Sequence, residues 1–255
     1  SGGVTVSHLR FGTVPIMAPY LINAADFVAV HNQSYVYNYD VLAGLKKGGT
    51  FLLNCTWTAE ELDANLPGQL KRYIAENDIK FYIIDAVKIA QEIGLGGRIN
   101  MIMQSAFFKL ADVIPLETAV KHLKEAVEHS YGKKGQNIVD MNNAAIDQGI
   151  NAIVAVEVPA AWANAEDSKL AAETGNEFVD QLLVPMNRLE GDKLPVSAFN
   201  KYADGTFPCG TSAFEKRGIA INVPEWQIDT CIQCNQCAFV CPHAAIRPVL
   251  MTEEE

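Results

Sequence analysis

Short apolar runs that end in polar loops alternate with helix-patterned stretches over the first hundred residues. The β-branched start of residues 4–11 predicts a strand, and the run Phe27-Val28-Ala29-Val30, ending at His31-Asn32-Gln33-Ser34, predicts a second. Residues 50–55 and 80–85 predict two more. Runs of this kind are typical of parallel strands covered on both faces.

Between them, Tyr37, Val41, Leu42 and Leu45 fall at helical spacing, with Gly48-Gly49 punctuating the end. Thr58 with Glu61 three residues on reads as a capping box. Residues 69–76 and 86–93 predict helices, the latter stopped by Gly94-Leu95-Gly96-Gly97. That glycine run follows a helix and does not join a strand to a helix N-terminus, so it reads as a stop signal and not as a dinucleotide loop. Strand, helix, strand, helix in this order predicts an α/β fold with a Rossmann-like, mostly parallel sheet.

Added helices follow at 100–110, 116–131 and 137–149, with a solvated turn at 132–135; residues 150–158 fit helix or strand. Met101, Met103, Phe107 and Phe108 read as core or a subunit-facing stripe. After Pro159 the chain changes character. Small and charged residues give way to Pro185, Gly191, Pro195, Gly205, Pro208 and Gly210, an irregular linker with little periodicity. The division expected is a domain over 1–159, a linker over 160–225 and a small segment over 226–255.

Composition narrows the function. Hydrophobic residues make up 49% and charged residues 20% of 255 positions, enough for a packed core. The formal charge of −10 and pI near 5.0 argue against a nucleic-acid surface, which needs clustered Lys and Arg. No apolar stretch is long enough for a membrane span. The start of the chain lacks the features of a secretory signal, and the cysteines are clustered, so a reducing, cytoplasmic setting is expected.

The densest chemistry lies in the last segment. Cys231, Cys234, Cys237 and Cys241, followed by Pro242, are spaced C-x2-C-x2-C-x3-C-P. In this spacing three thiolates from one loop take three corners of a [4Fe–4S] cluster and the fourth ligates a neighbouring cluster. Structural zinc is the alternative, but its ligands usually come as two separated pairs. Ile232, Ala238, Phe239 and Val240 are expected to pack dryly around the sulfurs. His243 reads as a tuning donor or as a plain surface residue. Of the other two cysteines, Cys55 reads as a small buried residue and Cys209 as a loop thiol. A second copy of the motif is absent, which leads us to expect an incomplete ferredoxin-like segment and a piece of a longer polypeptide.

Three stretches together resemble a known family. Residues 1–11 (Ser-Gly-Gly-Val-Thr-Val-Ser-His-Leu-Arg-Phe), the Glu215-Lys216-Arg217-Gly218 segment and the cysteine loop resemble, in that order, the gamma domain, the EKR linker domain and the first half of the ferredoxin-like domain of pyruvate:ferredoxin (flavodoxin) oxidoreductases. The resemblance implies oxidative decarboxylation of pyruvate to acetyl-CoA and CO2, with electrons leaving through [4Fe–4S] clusters to ferredoxin or flavodoxin. It also implies thiamine diphosphate and Mg2+ in domains outside this chain, coenzyme A as co-substrate, a homodimer, and the rest of the parent enzyme as partner. The fragment alone is not expected to be catalytic.

For coenzyme A the candidates are strand-end polar groups, namely Ser7, His8, Arg10, Asn32 and Ser34. A plain surface or domain-contact role for His8 and Arg10 is the competing reading, since one basic residue falls short of a phosphate site. Two other functions stay open at this point: a coenzyme A-binding assembly scaffold, and a related oxidoreductase acting on another 2-oxoacid, such as indolepyruvate or 2-oxoglutarate.

Overall fold

In the computed structural model, residues 4–168, 174–215, 223–250 and 252 are described. The chain divides near residue 220 into two compact units.

The first unit is built on four strands. β1 (Ala25–Val30) is followed by a short helix α1 (Tyr35–Asn38), then β2 (Leu45–Asn54), α2 (Leu62–Asn65), α3 (Gly68–Glu76) and β3 (Lys80–Ile84). After β3 come α4 (Ala86–Ile93), α5 (Asn100–Ala111), α6 (Leu116–Tyr131), α7 (Gln136–Asn151) and β4 (Val154–Ala155). The sheet order is β1-β2-β3-β4. The first three strands are parallel and the two-residue β4 is antiparallel to β3.

The three parallel strands feed two cores, because neighbouring side chains point to opposite faces. Val30, Phe51, Leu53, Phe81 and Ile83 pack with Leu62, Leu70 and Ile74 from α2 and α3. The intervening Leu52 and Ile84 pack on the other face with Ile89 and Ala90 of α4, Ile102, Met103 and Ala106 of α5, and Ala145 of α7. Phe51 and Phe81 stack at 5.0 Å in register across β2 and β3. This two-sided burial is why these strands read as continuous apolar runs. Met103 is buried in the core, while Phe107 joins Phe11, Phe27 and Phe108 in an aromatic cluster.

Several expectations need correction. Residues 4–11 form no strand. They belong to an irregular arm through residue 24, which leaves Val6 and Leu9 exposed and is held by its own hydrogen bonds. β-Branched residues alone do not make a strand without a partner edge. The helix expected from Tyr37 to Leu45 is one turn long, and β2 already begins at Leu45. The register jumps from Ala25↔Leu45 to Phe27↔Thr50, so the stretch around the left-handed Gly48 bulges out of the sheet. The glycine pair therefore marks a bulge and not a helix end.

The chain does not leave the core at Pro159. Trp162 is buried against Phe81 and its indole N–H donates to the Asp63 carboxylate at 2.8 Å. The linker region also carries local order. Phe178, Val179, Leu182 and Leu183 form a small cluster with Leu194, Phe199 and Tyr202. There the helix opens into a wide turn, with the Val184 amide reaching back to the Val179 carbonyl. Pro185 follows at once in the first turn of a one-turn helix (Val184–Asn187), and its ring and missing N–H exclude a regular α-helical bond back to the preceding turn. Glu215 is exposed, whereas Lys216, Arg217 and Gly218 of the quoted EKR segment lie outside the described residues. No helix among the described residues is long and apolar enough to cross a membrane.

Candidate metal centre

The second unit displays the cysteines on a loop. A single turn at Ile228–Thr230 leads into Cys231, and the chain then passes through Gln233 (φ 56°) and Asn235 (φ 59°), both left-handed. Asparagine tolerates that region because its short side chain bonds locally. The short helix α8 (Gln236–Val240) carries Cys237, and Cys241 follows in extended backbone before Pro242 ends the element. Ala244 (φ 50°) makes a third left-handed turn directly afterwards.

All four thiols are free. Cys231, Cys234 and Cys237 are exposed and Cys241 is half-buried. Backbone amides converge on Cys241: the Ala245 N–H donates to its Sγ at 3.3 Å, and donors at Ile246, Ala245 and His243 hold its thiol below the usual range. Cys231 is likewise held low, first by the Trp226 indole N–H and then by the Gln233 amide. Both environments favour the thiolate, which is the metal-binding form.

Among the described residues no three potential ligands stand close enough together to form a ready-made metal cage. The donor set still fits an iron–sulfur centre, since it offers four free thiols on one short loop, two already biased to thiolate. Gathering the sulfurs would be the metal's own contribution, as is usual where binding and folding are coupled. Ile232, Phe239 and Val240 are exposed and provide no dry packing here, a correction to the expectation.

The coenzyme A candidates fall into two groups. Asn32 and Ser34 share the turn after β1, where the Asn32 Oδ1 accepts from the Ser34 amide at 2.9 Å and the Ser34 hydroxyl is buried without a hydrogen-bond partner. Beside them, Asn54 donates to the His31 carbonyl and accepts from the Ala86 amide, both at 2.9 Å. Ser7, His8 and Arg10 lie instead on the irregular arm. His8 Nδ1 accepts from the Ile22 amide, while Arg10 donates to the Ala18 and Tyr20 carbonyls and covers the Tyr20 ring. Sequence reading missed the sulfur-directed donors at Trp226 and Ala245, which no local sequence signal marks.

Residues 1–152 match the family described as pyruvate ferredoxin/flavodoxin oxidoreductase. The chain belongs to that family. Within this oxidoreductase family member, residues 165–220 match an EKR domain described as of unknown function, and residues 223–246 match a 4Fe-4S binding domain.

The chain is 65% identical over its whole length to a pyruvate-flavodoxin oxidoreductase of Enterobacter agglomerans, covering 22% of that protein. It is 58% identical over 98% of its length to a pyruvate:ferredoxin oxidoreductase of Moorella thermoacetica, covering 21% of it. A Euglena gracilis protein named mitochondrial pyruvate dehydrogenase [NADP(+)] is 48% identical across the whole chain, which covers 14% of that relative. The chain thus spans about a fifth of the bacterial relatives.

Proposed function

We propose that this chain is the electron-carrying block of an enzyme that oxidises pyruvate and coenzyme A to acetyl-CoA and CO2, releasing two electrons and a proton. Thiamine diphosphate and Mg2+ would belong to other parts of the longer protein, which we take to be a cytoplasmic homodimer. A [4Fe–4S] cluster, when bound, accepts and passes one electron at a time because the charge spreads over several irons. Cys231, Cys234 and Cys237 would hold one such centre, and Cys241 would reach to its neighbour.

The observation that carries this reading is the four-thiol loop, with two thiols already biased to thiolate by N–H donors. The relatives support its place in the sequence of events. Three of them are named for flavodoxin, ferredoxin and NADP+, yet these three share this block at 48% identity or more. A block common to three acceptors belongs upstream of the acceptor.

For coenzyme A the reading rests on Asn32 and Ser34, which lie where ligands meet parallel sheets, at the carboxyl end of a strand. A phosphate at Arg10 would have to displace the two carbonyls it already serves.

Metal analysis of the anaerobically purified protein tests the main proposal. Iron with acid-labile sulfide, and a broad absorption that bleaches with dithionite, is the expected result. Zinc without sulfide would overturn it.

A further inference from the structure

Cys241 has a feature that its role as a ligand does not require. Its sulfur sits inside the turn that follows Pro242, and the Ala245 N–H points at it from 3.3 Å. The turn is closed by a second bond, from the Ala244 amide to the Cys241 carbonyl at 3.2 Å, with Ala244 itself at φ 50°. A non-glycine residue in that region is uncommon, and here it aims successive amides inward. Amide donors to a ligating sulfur stabilise the more negative, reduced state of an iron–sulfur centre.

We infer that Ala245 is a positioning residue for electron transfer: its backbone N–H, aimed by the left-handed Ala244, raises the reduction potential of the centre that Cys241 ligates. The inference rests on the reading of Cys241 as a cluster ligand. When bound, the centre would take one electron from the 2-oxoacid adduct upstream, which is oxidised by one electron in that step, and would pass one electron to the next carrier. The Ala245 proton stays on its nitrogen throughout. Because the donor is a backbone group, side-chain changes that keep the turn should be silent, and removal of the N–H should not.

The test uses the full-length enzyme, with iron and sulfide content and an EPR-monitored redox titration of each variant. Ala245→Ser keeps the N–H and should titrate with the wild type. Ala245→Pro removes it and should shift one centre to lower potential by at least tenfold in the redox equilibrium, about 59 mV for one electron. A fully loaded Ala245→Pro enzyme with unchanged potentials would overturn the inference.

Pulsed EPR of wild-type enzyme labelled with [15N]alanine decides the matter if Ala245→Pro fails to load. A weak 15N coupling to one reduced centre, lost in Ala245→Ser at unchanged potential, is expected; no such coupling in wild type would overturn the inference. If the wild-type enzyme itself contains no iron and sulfide, the failure belongs to the functional reading and not to Ala245.

Discussion

The backbone amide of Gly68 donates to the side-chain hydroxyl of Ser168 at 2.9 Å, joining residues 100 positions apart. Gly68 opens α3, so its amide is one of the donors a helix start leaves unpaired. A Cβ on Gly68 would stand 1.7 Å from the Glu166 carbonyl oxygen, a collision with backbone. Gly68→Ala should therefore push residues 160–168 off α3 and cost about 1–3 kcal/mol. Ser168→Ala, which only removes the acceptor, should cost about 1 kcal/mol. Urea denaturation checks both, and equal midpoints for Gly68→Ala and wild type would show that the segment does not dock here.

Trp162 belongs to the same docked segment. Trp162→Ala empties a buried site against Phe81 and should destabilise by about 3–5 kcal/mol. Trp162→Phe keeps an aromatic ring there but loses the donor to Asp63, and should lose far less. If both variants unfold at the same urea concentration, the indole's hydrogen bond and not its volume holds the segment.

Much of this architecture was legible because two-sided burial leaves apolar runs, and because helices such as α4 carry their own punctuation: Asp85 accepts from the Lys88 amide at its start and left-handed Gly94 ends it. What could not be read was long-range. Nothing local to Trp162 says that it packs beneath a strand eighty positions earlier, and nothing in Val4-Thr5-Val6 says that no neighbouring strand takes it up. The four-cysteine loop was legible from spacing alone, whereas the amides that converge on Cys241 depend on the left-handed Ala244, a conformation no alanine advertises.

Cys55 predicts a pH effect. It is buried beside Asp85, and burial pushes its thiol up from 9.0 to about 11. A group whose folded value is raised holds its proton more tightly when folded. Its contribution is complete below pH 9 and is lost as pH climbs toward 11, up to about 2.7 kcal/mol for two pKa units. Over that range the wild type should lose stability relative to Cys55→Ala. A gap between their urea midpoints that stays constant from pH 8 to about 11 would exclude an ionising Cys55.

The ligand assignment separates the cysteines sharply. Cys234→Ala should remove about four iron atoms and the matching sulfide from each chain, while Cys209→Ala and Cys55→Ala should remove none. Iron and sulfide quantification of the three variants checks this. Undiminished iron in Cys234→Ala would require other ligands.

Asn54 binds the end of β1 to the start of α4 through a single carboxamide. Two strand tips and a helix start therefore cannot fray one at a time: loosening any one strands a polar group of the others away from water. Hydrogen exchange at Ala86 should accordingly proceed only through openings that involve the whole carboxyl edge of the sheet. The loops above that edge would then ride on a rigid rim even where their own sequences are irregular.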